Sequence, residues 1–198
     1  MKIYLFAISR NFLLLISFQV RKDVLRTDRQ HKFYSGDTNE NITALYNILT
    51  TYALHYPSVG YCQGMSDLLS PVLMIMQDEA HAYVCFCALM NRLKKNFMAD
   101  GIAMTKMFQH LSEGLTYYDP EFFAYLKINQ ADDLLFCYRW LLLEMKREFA
   151  FEDSLQVLET LWASLPPSYA DKDGLKLYEV KLKPDAKASG ASGSSSGM

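Results

Sequence analysis

The sequence predicts an all-α protein, because apolar residues recur at intervals of three and four from Ile42 to Leu165 and capping residues precede most runs. Strand signals are scarce. The one weakly alternating stretch, Leu175–Leu182, stands alone, and an isolated strand has nothing to pair with. The expected architecture is a single multi-helix domain of about seven helices with a flexible C-terminal tail.

The opening stretch, Met1–Phe18, has a basic residue near its start and two apolar runs. Arg10 and Asn11 split those runs, no small-x-small cleavage site follows Phe18, and each run is too short to span a bilayer. Residues 1–19 are therefore read as a divergent apolar segment, forming a buried first helix or replacing some other start, rather than as a secretion signal.

Ile42, Leu45, Leu49, Tyr52 and Tyr56 share one helix face, with Asp37, Thr38 and Asn39 offering caps in front and Pro57 and Gly60 stopping the helix. A second apolar run covers Met65–Met76, where Pro71 predicts a kink or a break, and its methionines read as core. Asp78 caps the next helix, whose face is Phe86, Met90, Leu93 and Phe97. Met104, Phe108, Leu111, Leu115 and Tyr118 form a further face, and Asp119-Pro120 reads as an N-cap followed by proline at the first helical position. Leu134–Met145 is apolar nearly all round, which predicts a helix at the centre of the fold. Leu155, Leu158, Leu161, Trp162 and Leu165 form the last face, closed by Pro166-Pro167. Ala186–Met198 is a Gly/Ser/Ala tract with nothing to bury, so residues 168–198 read as a polar, flexible tail.

Composition narrows the function. A hydrophobic content of 51% and an aromatic content of 14% support a packed core and exclude a disordered chain. A net charge of −2 argues against nucleic acid as the main partner, despite the local basic cluster Arg21–Lys32. Cys62, Cys85, Cys87 and Cys137 form no CxxC pair and read as buried free thiols, which fits a reducing, cytoplasmic setting. No P-loop, dinucleotide-binding glycine pattern, HExxH or nucleophile elbow is present, and the 4 histidines are scattered. The acidic pairs Asp132-Asp133 and Glu152-Asp153 complement helix N-termini.

Two segments are odd on packing grounds. One is Val20–Arg29, and the other is Gly60-Tyr61-Cys62-Gln63-Gly64-Met65-Ser66-Asp67. A glutamine between tyrosine and glycine at the mouth of an apolar helix reads as a side chain presented by a loop-to-helix junction, with Gly60 and Gly64 admitting a second backbone.

Here the chain resembles the TBC-domain Rab GTPase-activating proteins. Their first signature is an aliphatic residue, then Asp and Arg at intervals of three, matched by Val20, Asp23 and Arg26, with Thr27 following. Their second, Tyr-x-Gln-Gly-Met, is matched by Tyr61, Gln63, Gly64 and Met65. Arg139-Trp140 and Arg147-Glu148-Phe149 add a looser third likeness. The resemblance covers residues 20–167. It implies a domain that supplies Arg26 as an arginine finger and Gln63 as a glutamine finger to a Rab-family GTPase. Asp23 would hold the finger and Tyr61 would set the angle of the glutamine loop. GTP and magnesium would be carried by the partner, with no cofactor or metal of this chain's own. Vesicle trafficking follows as the setting, with membrane contact made indirectly through the Rab.

Members of that family have several helices before the arginine motif and more after the region of Trp162, so the resemblance implies a domain shortened at both ends. The alternatives are a catalytically inactive TBC-like module that binds a Rab or another trafficking partner, and a helical scaffold held to membranes by Met1–Phe18. Arg139, in its apolar run, is expected to be a buried ion-pair partner for an acid such as Asp67.

Overall fold

A computed structural model describes residues 2–164. They lie in the first of two compact units, Met1–Pro166. The expected tail, the alternating stretch at 175–182 and Leu165 lie outside the described residues. Within them the chain is all-helical, with eight α-helices, one more than expected, and three short 3-10 turns.

The first helix, α1, runs from Lys2 to Val24, straight across the position where the apolar segment meets the first motif. From residue 13 to residue 24 it is buried along one face only. Ile16, Val20 and Val24 form a stripe at intervals of four that is buried, whereas Leu14, Leu15 and Phe18 are exposed. Among the described residues no helix is long and apolar enough to cross a membrane.

α2 spans Glu40–His55 and buries Ile42, Leu45, Ile48, Leu49, Tyr52 and Ala53. Asn39 caps it, its side chain accepting from the Asn41 N–H. Tyr56 lies just past the end and is exposed. α1 packs on α2, and Ser17 meets Tyr46 at 2.8 Å across that interface.

α3, Met65–Met76, carries Pro71 inside it without ending there. Proline lacks the N–H that would bond the carbonyl of Asp67. Ser70 Oγ stands 3.4 Å from that carbonyl, close to the gap in the ladder. Every residue from Met65 to Leu73 is buried, so tertiary packing outweighs the local penalty.

α4, Glu79–Leu93, is capped by Asp78, which accepts from the His81 N–H, and buries Phe86, Met90 and Leu93 as expected. Its fourth face residue, Phe97, is buried too, but in the 3-10 turn Lys94–Phe97. These residues join the stripes of α1, α2 and α3 in one main core.

α5, Ile102–Tyr118, buries only Met104, while Tyr118 is fully out in solvent. α6, Pro120–Ile128, begins with Asp119 accepting from the Phe122 N–H and Pro120 at the first position. Phe123, Leu126 and Leu134 form a small second core against Phe108, Leu111 and Leu115.

Leu134–Met145 is not one central helix. It breaks into a 3-10 turn Leu135–Cys137, a short α7 Tyr138–Leu142 and a turn leading to Lys146–Glu148. Leu134, Glu144 and Met145 all adopt positive φ, which interrupts the helix at both ends, and Leu135, Phe136 and Tyr138 are exposed. α8, Phe151–Ser164, seats Leu158 in the interior and leaves Leu161 half-exposed.

Candidate functional site

α1 ends at Val24 in a turn whose backbone is closed on one carbonyl: the Arg26 and Thr27 N–H groups both donate to Asp23 O at 3.0 Å. Asp23 itself is buried. Its Oδ1 accepts from Arg26 Nε at 3.1 Å and Nη2 at 2.6 Å, while the rest of the guanidinium reaches into solvent, the side chain being 49% exposed. The expected contact between Asp23 and Arg26 is therefore made, although Arg26 sits in the turn beyond the helix.

The other carboxylate oxygen, Asp23 Oδ2, accepts from the Tyr61 hydroxyl at 2.6 Å. Burial, then the hydrogen bond to Asp23, push the Tyr61 phenol far above its ordinary range, so it remains a donor at any physiological pH. A second tie lies alongside. The buried Thr27 hydroxyl stands 2.8 Å from the Asp23 carbonyl and 2.9 Å from Ser66 Oγ, in the first turn of α3. Asp23 and Thr27 thus join the turn carrying Arg26 to the loop carrying Gln63.

Gln63 is exposed at the junction leading into α3. It does not cap that helix: the N-cap is Gly64, with no side-chain cap bond. Gly64 is required twice over. Its φ is 102°, and a Cβ there would meet Leu143 Cδ2 at 2.8 Å. Gly60 also has positive φ, but nothing approaches it closely. Gly64→Ala is expected to destabilise the protein by about 2 kcal/mol, from left-handed strain plus the displaced Leu143. Urea unfolding measures this, and a loss below about 0.5 kcal/mol would mean the turn tolerates a side chain. Burial raises the Cys62 thiol above its usual value, which keeps it protonated beside the loop. The described cysteines are free, but only Cys137 is fully buried and the other three are partly exposed.

Beneath the two loops lies an ionic network that joins the third motif to the first two. Asp67, buried in the first turn of α3, accepts from Arg147 Nε at 2.9 Å and Nη2 at 2.7 Å. The hydrogen bond to Asp67, outweighing partial burial, raises the Arg147 guanidinium further above its ordinary value. The acid expected to pair with Arg139 thus pairs with Arg147. Arg139 is half-exposed and bonds Glu148 instead, at 2.9 Å and 2.7 Å. The reason is the broken helix: α7 is too short and too peripheral to carry Arg139 inward.

Asp28 and Ser66 fall within the two segments singled out above, though without a role, whereas Ser70 and Lys146 carried no signal in the sequence. Lys146 is 3% exposed, with Nζ 2.5 Å from both oxygens of Asp28 and 3.7 Å from Asp67 Oδ1. Ser70 Oγ also bonds Asp28, and Lys146 Nζ lies 5.4 Å from the centre of the Phe151 ring. The only hint available was a lysine directly after a long apolar run, a position that invites burial if an acid is near. Between this network and solvent opens a polar cavity of about 630 Å³, lined by Arg26, His31, Asp67, Arg139, Lys146 and Arg147 among others. Among the described residues no group of three or more His, Cys, Asp or Glu is placed to hold a metal ion.

The Rab-GTPase-TBC domain profile matches residues 14–169. Human TBC1 domain family member 25 is 58% identical over 149 residues, which cover 75% of this chain and 22% of that protein. Mouse TBC1 domain family member 17 is 42% identical over 147 residues, 74% of this chain and 23% of that protein. Human small G protein signaling modulator 1 is 40% identical over 147 residues, 74% of this chain and 12% of that protein. Among solved structures, one described as the Ypt/Rab-GAP domain of Gyp1p aligns with a TM-score of 0.65 at 19% identity, covering 75% of this chain and 56% of that one. That likeness concerns the fold. The matched segment spans about a fifth of the length of its first relatives.

Proposed function

The chain belongs to the Rab-GTPase-TBC domain family, and from that premise we propose that it is a GTPase-activating domain acting on a Rab-family small GTPase. Arg26 and Gln63 are the two groups it lends to the partner's active site. The observation that carries this reading is the single carboxylate of Asp23, which receives Arg26 on one oxygen and Tyr61 on the other. An arginine and a glutamine borne by separate turns act together only if those turns are held in fixed relation, and Asp23 supplies that relation.

The chemistry asks for two things. Hydrolysis of bound GTP builds charge on the phosphoryl oxygens as the bond to the leaving diphosphate breaks, and the attacking water needs orientation. A guanidinium supplied in trans stabilises that charge, through a planar fork that never loses its proton. A glutamine amide accepts from the water while its NH2 donates to a neighbouring acceptor. The nucleotide and its magnesium come with the GTPase, so this chain carries no cofactor of its own. The protein acts in the cytoplasm and reaches vesicle or organelle membranes through the Rab it engages. Nucleic acid is not a partner.

The test is single-turnover GTP hydrolysis by a panel of purified Rabs, each with and without this chain. At least one Rab is expected to be accelerated, and Gln63→Ala to lose about 10²-fold of that acceleration. If a Rab binds this chain but hydrolyses GTP at its intrinsic rate, the chain is a binding module and the activator reading fails.

A further inference from the structure

We propose that Lys146 is a positioning residue for Arg26: its buried ammonium holds Asp28, in the turn after the arginine, against Asp67 at the start of the glutamine helix. This inference rests on the activator reading above.

The geometry makes the lysine a further clamp between the same two segments, beside the Ser70–Asp28 hydrogen bond. Asp23–Tyr61 and Thr27–Ser66 tie them on one side of the turn. Lys146 ties them farther along the turn, with both oxygens of Asp28 at 2.5 Å and Asp67 at 3.7 Å. Asp28 stands two residues after Arg26 and adopts a left-handed backbone, with φ 47°. An aspartate tolerates that conformation, but something must hold the chain in it. The groups hydrogen-bonded to its carboxylate are Lys146 and Ser70. Removing the ammonium would leave Asp28 and Asp67 as two partly uncompensated carboxylates facing each other across the site, repelling where they are now bridged.

A lysine–aspartate pair serving stability alone could be replaced as a unit by apolar side chains, since buried ion pairs seldom add net stability over a well-packed hydrophobe. What such a hydrophobe cannot do is fix the direction of Asp28, and through it the turn that carries Arg26. Lys146 lies in a different element, 118 positions along the chain from Asp28. The turn after α7, with positive φ at Glu144 and Met145, delivers it there.

The experiment compares wild type, Lys146→Met, Lys146→Met/Asp28→Asn and Lys146→Arg, each also combined with Arg26→Ala, in single-turnover GTP hydrolysis by a responsive Rab across activator concentrations. Lys146→Met is expected to lower the saturating rate at least tenfold while the half-saturating activator concentration stays within about threefold. Lys146→Arg should recover part of the rate. In the Arg26→Ala background Lys146→Met should have no further effect, because it acts through the arginine. Circular dichroism checks folding. If Lys146→Met does not fold, Lys146→Met/Asp28→Asn, which removes both charges of the pair, is the variant that decides, with the same expected loss. An unchanged saturating rate, a loss confined to half-saturation, or an equal loss with and without Arg26 overturns the proposal. If wild type accelerates no Rab, the activator reading fails and this inference goes with it. If wild type is active and the folded variant keeps its rate, only the role of Lys146 fails.

Discussion

Arg26→Lys is expected to lower the saturating rate of GTP hydrolysis by a responsive Rab by about 10³-fold, with the half-saturating activator concentration nearly unchanged. That factor corresponds to roughly 4 kcal/mol of transition-state stabilisation. Charge alone does not account for it, because lysine keeps the charge. What lysine loses is the fork. In the present structure Arg26 uses Nε and Nη2 on Asp23 Oδ1, and the remaining N–H groups of a planar guanidinium then project in a fixed direction. An ammonium bonded to the same oxygen has no rigid second edge to present. The control is Asp23→Asn, which keeps the shape of the site but weakens the grip on the arginine, and it should fall between wild type and Arg26→Lys. If Arg26→Lys retains more than about a tenth of the acceleration, the arginine serves as a generic cation and the finger assignment is wrong.

The sequence carried the fold class because α2, α4 and α6 are written in local terms. Each begins at an aspartate or asparagine whose side chain caps the helix where the residues imply. Elements whose form depends on neighbours were less legible. Leu134–Met145 has the composition of a central helix, yet it is divided by positive-φ residues that no propensity marks, since leucine, glutamate and methionine all favour helix. Leu14, Leu15 and Phe18 look like core on α1 but are exposed there. In the candidate site, the motif residues were legible as a set, and the local contact from Asp23 to Arg26 followed from spacing. The contacts bridging distant segments did not. Nothing local distinguishes Arg147 from Arg139 as the partner of Asp67, eighty positions away, until the short α7 turns one outward and the following turn carries the other inward.

That exchange of partners predicts a clear asymmetry in stability. Asp67→Ala is expected to destabilise the protein by about 3 kcal/mol, whereas Arg139→Ala should change stability by less than about 1 kcal/mol. Asp67 is buried and accepts two hydrogen bonds from Arg147, with the buried Lys146 ammonium a further 3.7 Å away. Deleting the carboxylate removes the compensation for Arg147 and leaves Lys146 supported by Asp28 alone. The loss belongs at the lower end of the range for a broken buried pair, because Lys146 keeps that one partner and Arg147, partly exposed, can turn toward water. Arg139 and Glu148 are bonded at equally short distances, but their guanidinium is more than half exposed and water replaces the pair when it is cut. Thermal unfolding followed by circular dichroism should therefore place Asp67→Ala roughly 6–12 °C below wild type, with Arg139→Ala within about 3 °C of it. Equal shifts for the two variants would mean that the interior ion pair is made by the other arginine. A small shift for both would mean that the network under the finger loops orients side chains without stabilising the fold.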